Sequence, residues 1–221
     1  MKSWIRDNSL SLALLLLFAA SFVGQVFAGW AQENEALAEH DQALLTLWGF
    51  LTSGEFLSAV FENWESEFLQ MWAYVMLTAY LFQRGSPESK DPDKPSPQDR
   101  DPALDADNPE TPGAVRKGGL VARLYSHSLG LAMLTLFLLS FVLHWVNSAR
   151  GERQQALEHG EPPPSLLEHL IAPQLWFESF QNWQSEFLST AVLVVLAIWL
   201  REKGSPESKP VSAPHAQTGA G

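Results

Sequence analysis

Ser9–Trp30 reads SLSLALLLLFAASFVGQVFAGW and Ser126–Asn147 reads SHSLGLAMLTLFLLSFVLHWVN, with no Asp, Glu, Lys or Arg in either run. A helix rising about 1.5 Å per residue crosses a hydrocarbon core of about 30 Å in a run of this length. Two shorter apolar runs, Phe68–Phe82 and Phe187–Leu200, each follow an amphipathic stretch that lengthens the helix enough to complete a crossing. The fold expected is an all-α integral membrane protein with four transmembrane helices, at about 9–30, 61–83, 126–147 and 180–202.

Working outward, the chain matches itself. Shifted by 119 positions, residues 8–90 align without a gap on 127–209, and 31 of the 83 pairs are identical. The identities include polar residues: Asn63-Trp64 and Ser66-Glu67-Phe68-Leu69 match Asn182-Trp183 and Ser185-Glu186-Phe187-Leu188. Gly85-Ser86-Pro87-Glu88-Ser89-Lys90 recurs residue for residue at 204–209. This is a duplicated two-span unit. Repeat 1 covers 1–90 and repeat 2 covers 120–209. Between them lies a Pro- and Asp-rich linker, 91–119, and after them a tail, 210–221, and both compositions read as disordered. Lys2 and Arg6 before a Leu-rich run also fit a signal peptide. The recurrence of that segment in mid-chain favours a retained span.

The averages conceal this segregation. Hydrophobic residues make up 46% of the chain, with 9 Trp, 13 Phe, no Cys and a net charge of −11. Without Cys there is no disulfide, thiolate nucleophile or Cys-ligated metal. The acidic balance argues against nucleic acid as a partner. Of the 14 Lys and Arg residues, only Arg150 and Arg153 fall between spans one and two or between three and four. Basic residues mark the cytoplasmic side, so both termini and the central linker are expected inside and both repeats insert in the same direction. Leu44–Leu51 and Leu166–Ile171 read as short helices in the outer interface. Trp30, Trp64, Trp145 and Trp183 fall near span boundaries and are expected to act as interfacial anchors.

The shared Asn-Trp-x-Ser-Glu-Phe places Asn63 and Glu67, and equally Asn182 and Glu186, four residues apart on one helix face. Glu67 and Glu186 would lie near the outer edge of the hydrocarbon. Two readings follow: a paired-glutamate ion or proton site with the asparagines as neutral ligands, or carboxylates that only anchor the interface. Glu158-His159 repeats Glu39-His40 in the loops, whereas His144 and His127 have no counterpart, Gln25 and Asn8 standing in their places. No two of the six His are three or four apart, so no local metal pair is expected, and no cofactor. Phosphate-binding, dinucleotide, nucleophile-elbow and zincin motifs are all missing, which leaves no positive case for an enzyme.

The D-N-S-L-S-L opening, F-V-G-Q…A-G-W, F-E-N-W-E-S-E-F-L-Q and the basic-G-S-x-E-S-K ending resemble a bacterial family of multi-pass membrane proteins that carries a domain-of-unknown-function label. The resemblance covers both repeats. It implies the inner membrane of a bacterium and supplies no activity. Repeat 2 departs from the pattern at Gln181 and Gln184, where repeat 1 has Glu62 and Glu65, so a role needing those acids would be asymmetric. The function expected is that of a non-catalytic membrane component, structural, stress-related or partner-binding. Its partners would be the bilayer and another membrane protein or a second copy. The alternative is a small ion or proton channel or transporter at Glu67 and Glu186.

Overall fold

Leu, Ala, Phe, Glu and Gln dominate the long segments, and all but Phe are strong helix formers. The computed structural model, which describes residues 2–219, is accordingly helical, with no strand among the described residues. A short helix α1 (Lys2–Asp7) leads into α2 (Ser9–Glu39), followed by α3 (Leu47–Leu51) and α4 (Gly54–Tyr80). After two 3₁₀ turns at Pro97–Asp99 and Pro102–Asp105 come α5 (Gly113–Lys117), α6 (Gly119–Ser126), α7 (Ser128–Glu158), α8 (Leu166–Leu170) and α9 (Pro173–Leu196).

The duplication is visible in these bounds. α7 begins and ends 119 residues after α2, α8 does the same after α3, and α9 begins 119 after α4. α2 and α7 are long and apolar enough to cross a membrane. Among the described residues those two are the helices that meet the length and composition requirement; α4 and α9 carry more polar residues.

Several boundaries differ from those expected. The acidic stretches 33–41 and 152–161 continue α2 and α7 as far as Glu39 and Glu158 rather than forming loops. They are rich in Ala, Leu, Glu and Gln, which extend a helix readily. His40 and His159 then close the two helices in the same way. Each ring Nδ1 lies 2.8–2.9 Å from the carbonyl oxygen four residues back, Ala36 O or Gln155 O, which the Nδ1–H tautomer satisfies. Pro173 starts α9, where its missing N–H costs nothing. α4 and α9 end at Tyr80 and Leu196, short of the 83 and 202 expected.

The chain divides into two compact units. The first comprises residues up to 59 together with 146–165. Within it Phe22 of α2 meets Phe56 of α4 at 6.2 Å, and Phe56 meets Phe50 of α3 at 4.8 Å. Asn34 pins the return of the chain with both ends of its amide: Oδ1 accepts from Leu45 N and Nδ2 donates to Leu45 O. The Trp30 indole also donates to Leu45 O, at 2.8 Å.

The second unit comprises 60–145 and 166 onward. There α7 packs on α9 through a run of rings. Phe137 touches Trp183, Phe141 touches Trp176, and Trp176, Phe180 and Trp183 touch one another. The Trp145 indole donates to Leu166 O at 2.9 Å, repeating at the start of α8 the job Trp30 performs before α3.

The duplicated Gly-Ser-Pro-Glu-Ser-Lys folds identically in both copies. Gly85 and Gly204 have φ of 88° and 89°, the region only glycine enters freely. Each sits in a tight turn, closed by Ser86 N to Gln83 O and by Ser205 N to Glu202 O. Ser89 Oγ accepts from Gln83 N, and Ser208 Oγ accepts from Glu202 N. The linker and tail, whose composition reads as disordered, have defined partners here. Arg84 pairs with Asp93 and Lys90 with Asp99. Lys209 is buried, its ammonium donating to the carbonyls of Gly85, His215 and Gln217 at 2.5–3.0 Å.

Candidate functional site

Three helices of the second unit each send one ionisable side chain to a single point. Glu65 comes from α4, His144 from α7 and Glu178 from the second turn of α9. His144 Nδ1 lies 3.0 Å from Glu65 Oε2, and His144 Nε2 lies 3.1 Å from Glu178 Oε2. The side chains of His144 and Glu65 are 0% exposed, and that of Glu178 is 21% exposed. Carboxylate oxygens only accept, so a ring that faces one on each side carries hydrogen on both nitrogens, as imidazolium does, or else one carboxyl holds the shared proton. Either way each of the two hydrogen bonds holds a proton, one more than a neutral imidazole supplies to two carboxylates.

The supporting contacts are mostly polar donors. Ser179 Oγ donates to Glu65 Oε1 at 2.7 Å and the Trp183 indole donates to the same oxygen at 3.2 Å. Gln174 Nε2 donates to Glu178 Oε1 at 2.9 Å. Beside this cluster, Glu62 Oε1 accepts from Gln181 Nε2 at 3.1 Å and from Asn182 Nδ2 at 2.5 Å. Hydrogen bonds to charged groups contribute about 1.5–3 kcal/mol each, and they offset the cost of removing the carboxylates from water.

Glu67 and Asn63 are exposed on α4 and Glu186 is half-buried on α9, with Glu67 and Glu186 close enough for their charges to interact. Asn182 joins the cluster through Glu62. Trp183, expected as an interfacial anchor, turns its N–H into the site. Trp64 is exposed and stacks edge-on with Phe61. Among the described residues no group of three or more His, Asp or Glu is arranged to hold a metal.

A sequence signal for the cluster does exist. Its members stand where the two repeats differ: His144 opposite Gln25, Glu178 opposite Ala59, Ser179 opposite Val60, Glu62 opposite Gln181 and Glu65 opposite Gln184. Ranking candidates by what the copies share directs attention away from these positions.

Further along α4 and α9, the Gln70 amide of α4 donates to Thr190 Oγ1 of α9 at 2.7 Å. Tyr74 OH donates to Glu88 Oε2 at 2.5 Å. Burial and the neighbouring Glu207 push the Glu88 carboxyl above its ordinary value of 4.5, against the opposing pull of Tyr74. An acid whose folded value is raised contributes stability that is complete below the unfolded value and is lost as pH rises through the folded one. Glu88→Gln keeps an acceptor for Tyr74 and removes the charge. It is expected to raise the melting temperature at about pH 7.5 and leave it unchanged at about pH 4, where Glu88 is itself protonated. Melting curves at the two pH values check this.

The fold and site thus define an all-α protein built around a buried carboxylate–histidine–carboxylate bridge. Over residues 1–220 the chain matches a family described as a domain of unknown function (DUF6766), and it belongs to that family. No curated protein matches, and no solved structure matches.

Proposed function

We propose that this chain is a four-span, non-catalytic membrane component of the bacterial inner membrane, its two repeats inserted in the same direction. The observation that carries the reading is the exposed turn near the start of α2. Leu14, Leu15, Leu16 and Leu17 are each 57–71% exposed. Four consecutive residues at about 100° per residue point to every side of a helix, so this turn is exposed and apolar all round. A core helix of a water-soluble domain hides at least one stripe; a helix apolar and uncovered all round is solvated by lipid. The same exposure recurs at Phe187, Leu188, Val192, Leu193, Val195 and Leu196 of α9, which supports crossings by the less apolar pair α4 and α9. Leu120, Val121, Leu124 and Tyr125 are exposed on α6, which also carries Arg123, a composition that suits a helix lying in the inner interface.

Within that frame the Glu65–His144–Glu178 bridge acts as a lock that fixes the mutual register of α4, α7 and α9, and the apolar circumference is available to another membrane protein or a second copy. Because the chain has no Cys, single cysteines report topology without background. Alkaline carbonate is expected to leave the protein in the membrane pellet. Gln42→Cys is expected to react with an impermeant maleimide in intact spheroplasts, and Ser96→Cys only after lysis. Release by carbonate, or labelling at Ser96 from outside, overturns the reading.

A further inference from the structure

Beside the Tyr74–Glu88 hydrogen bond the second unit holds a cavity of about 390 Å³. That volume lies within the range of about 300–1,000 Å³ typical of small-molecule sites. Its walls are apolar, with Ala73 and Leu77 from α4 and Ala191, Val194 and Val195 from α9. Its polar residues fall at two levels along α4: Gln70 with Thr190 and, about 6 Å further on, Tyr74 with Glu88. Leu77, Phe187 and Val195 on its rim are 41–52% exposed, so it opens sideways between the two helices.

The hydrogens on this wall are already taken. Gln70 Nε2 donates to Glu186 O and to Thr190 Oγ1, and the Thr190 hydroxyl donates to Glu186 O. Thr78 Oγ1 donates to Tyr74 O, Ser89 Oγ to Lys90 O and Tyr74 OH to Glu88 Oε2. The capacity left is that of acceptors, Gln70 Oε1 and the remaining lone pairs of the Glu88 carboxyl. A ligand that fits must therefore donate. Charge points the same way. Glu207, which stands in repeat 2 where Glu88 stands in repeat 1, lies within hydrogen-bond reach of Glu88. Two carboxyl groups so close need a proton or a cation between them. Among the described residues no Lys or Arg lines the cavity to supply one.

We propose that this cavity binds a lipophilic primary amine, with its ammonium on Glu88 and its apolar chain between α4 and α9. The ammonium offers three N–H donors and a positive charge to a wall that has only acceptors and negative charge to give. The chain covers the alanine, leucine and valine walls, whose burial supplies most of the affinity. The volume suits one short chain rather than the two of a phospholipid. The proposal rests on the membrane reading above, which supplies the sideways route of entry.

The test uses the full chain in phosphatidylcholine nanodiscs at about pH 8, with empty discs subtracted, and titrates octylamine, octanol and octanoate calorimetrically. Octylamine is expected to bind saturably and about tenfold or more tighter than octanol, and octanoate not at all. Glu88→Gln weakens octylamine about tenfold or more and leaves octanol as it was. Ala191→Phe, whose ring fills the cavity, weakens both, and Glu110→Gln in the linker weakens neither. Glu88→Gln is expected to raise the melting temperature at about pH 7.5, so its lost affinity is not a lost fold. Equal affinity for amine and alcohol, or wild-type amine affinity in Glu88→Gln or Ala191→Phe, overturns the proposal and leaves the membrane reading intact. Suppression of octylamine binding in discs of phosphatidylethanolamine, whose headgroup carries the same ammonium, overturns the single-chain occupant in favour of that lipid. Failure to assemble into discs overturns both readings.

Discussion

His144→Ala is expected to cost about 3–5 kcal/mol of stability, among the largest losses any single substitution in this chain would cause. The ring is fully buried between two carboxylates, and removing it leaves Glu65 with no countercharge at a point without solvent. Ser179 and Trp183 still donate to one oxygen of Glu65, but the other loses its partner. The cost comes from stranding a charge, so relieving the charge should recover much of it. Glu65→Gln combined with His144→Ala is therefore expected to be more stable than His144→Ala alone, a non-additivity of about 0.5–3 kcal/mol in the direction of rescue. Denaturant titration in detergent micelles measures both. Simple addition of the two losses would mean that the bridge is not an electrostatic unit.

Gly54→Val is expected to cost about 3 kcal/mol, through overpacking rather than charge. A Cβ at Gly54 would lie 2.6 Å from Gly151 N and 2.7 Å from Asn147 O, both backbone atoms of α7. Backbone cannot swing aside as a side-chain tip can, so the first turn of α4 must move off α7. The contact is one-sided. A Cβ at Gly151 meets nothing nearer than 3.6 Å, an ordinary contact. Gly151→Ala is therefore expected to be neutral or to stabilise by up to about 1 kcal/mol, the helix-propensity gain over glycine. Equal losses at the two glycines would show that the close approach does not hold in solution.

Much of the architecture was legible in the residues. The 119-residue shift foretells the matching bounds of α2 and α7 and of α3 and α8, because a helix start or stop depends on residues within a turn or two. The long apolar runs mark α2 and α7 for the same local reason. Legibility fell off at boundaries decided by weak competition. Extending α2 past Trp30 through an acidic but helix-favouring segment is an instance, and so is the use of Pro173 to begin a helix.

The site was not legible from what the copies share. His144, Glu65 and Glu178 all stand where the repeats have diverged, opposite Gln25, Gln184 and Ala59. Glu67 and Glu186, which the copies share, stay exposed or half-buried. Helical periodicity alone would have told that Glu65 lies on a different face of α4 from Glu67, since residues two apart are separated by about 200°. The face that meets α7 and α9 is the one carrying Glu65, which is held by His144 of α7 and by Ser179 and Trp183 of α9. The sequence by itself therefore determined the helices and their duplication, because those follow from local propensity and length. Only the tertiary structure decided that His144, 79 residues from Glu65 and 34 from Glu178, would lie between them. Such a meeting depends on how three helices rotate about their own axes, a quantity that no local stretch of chain encodes.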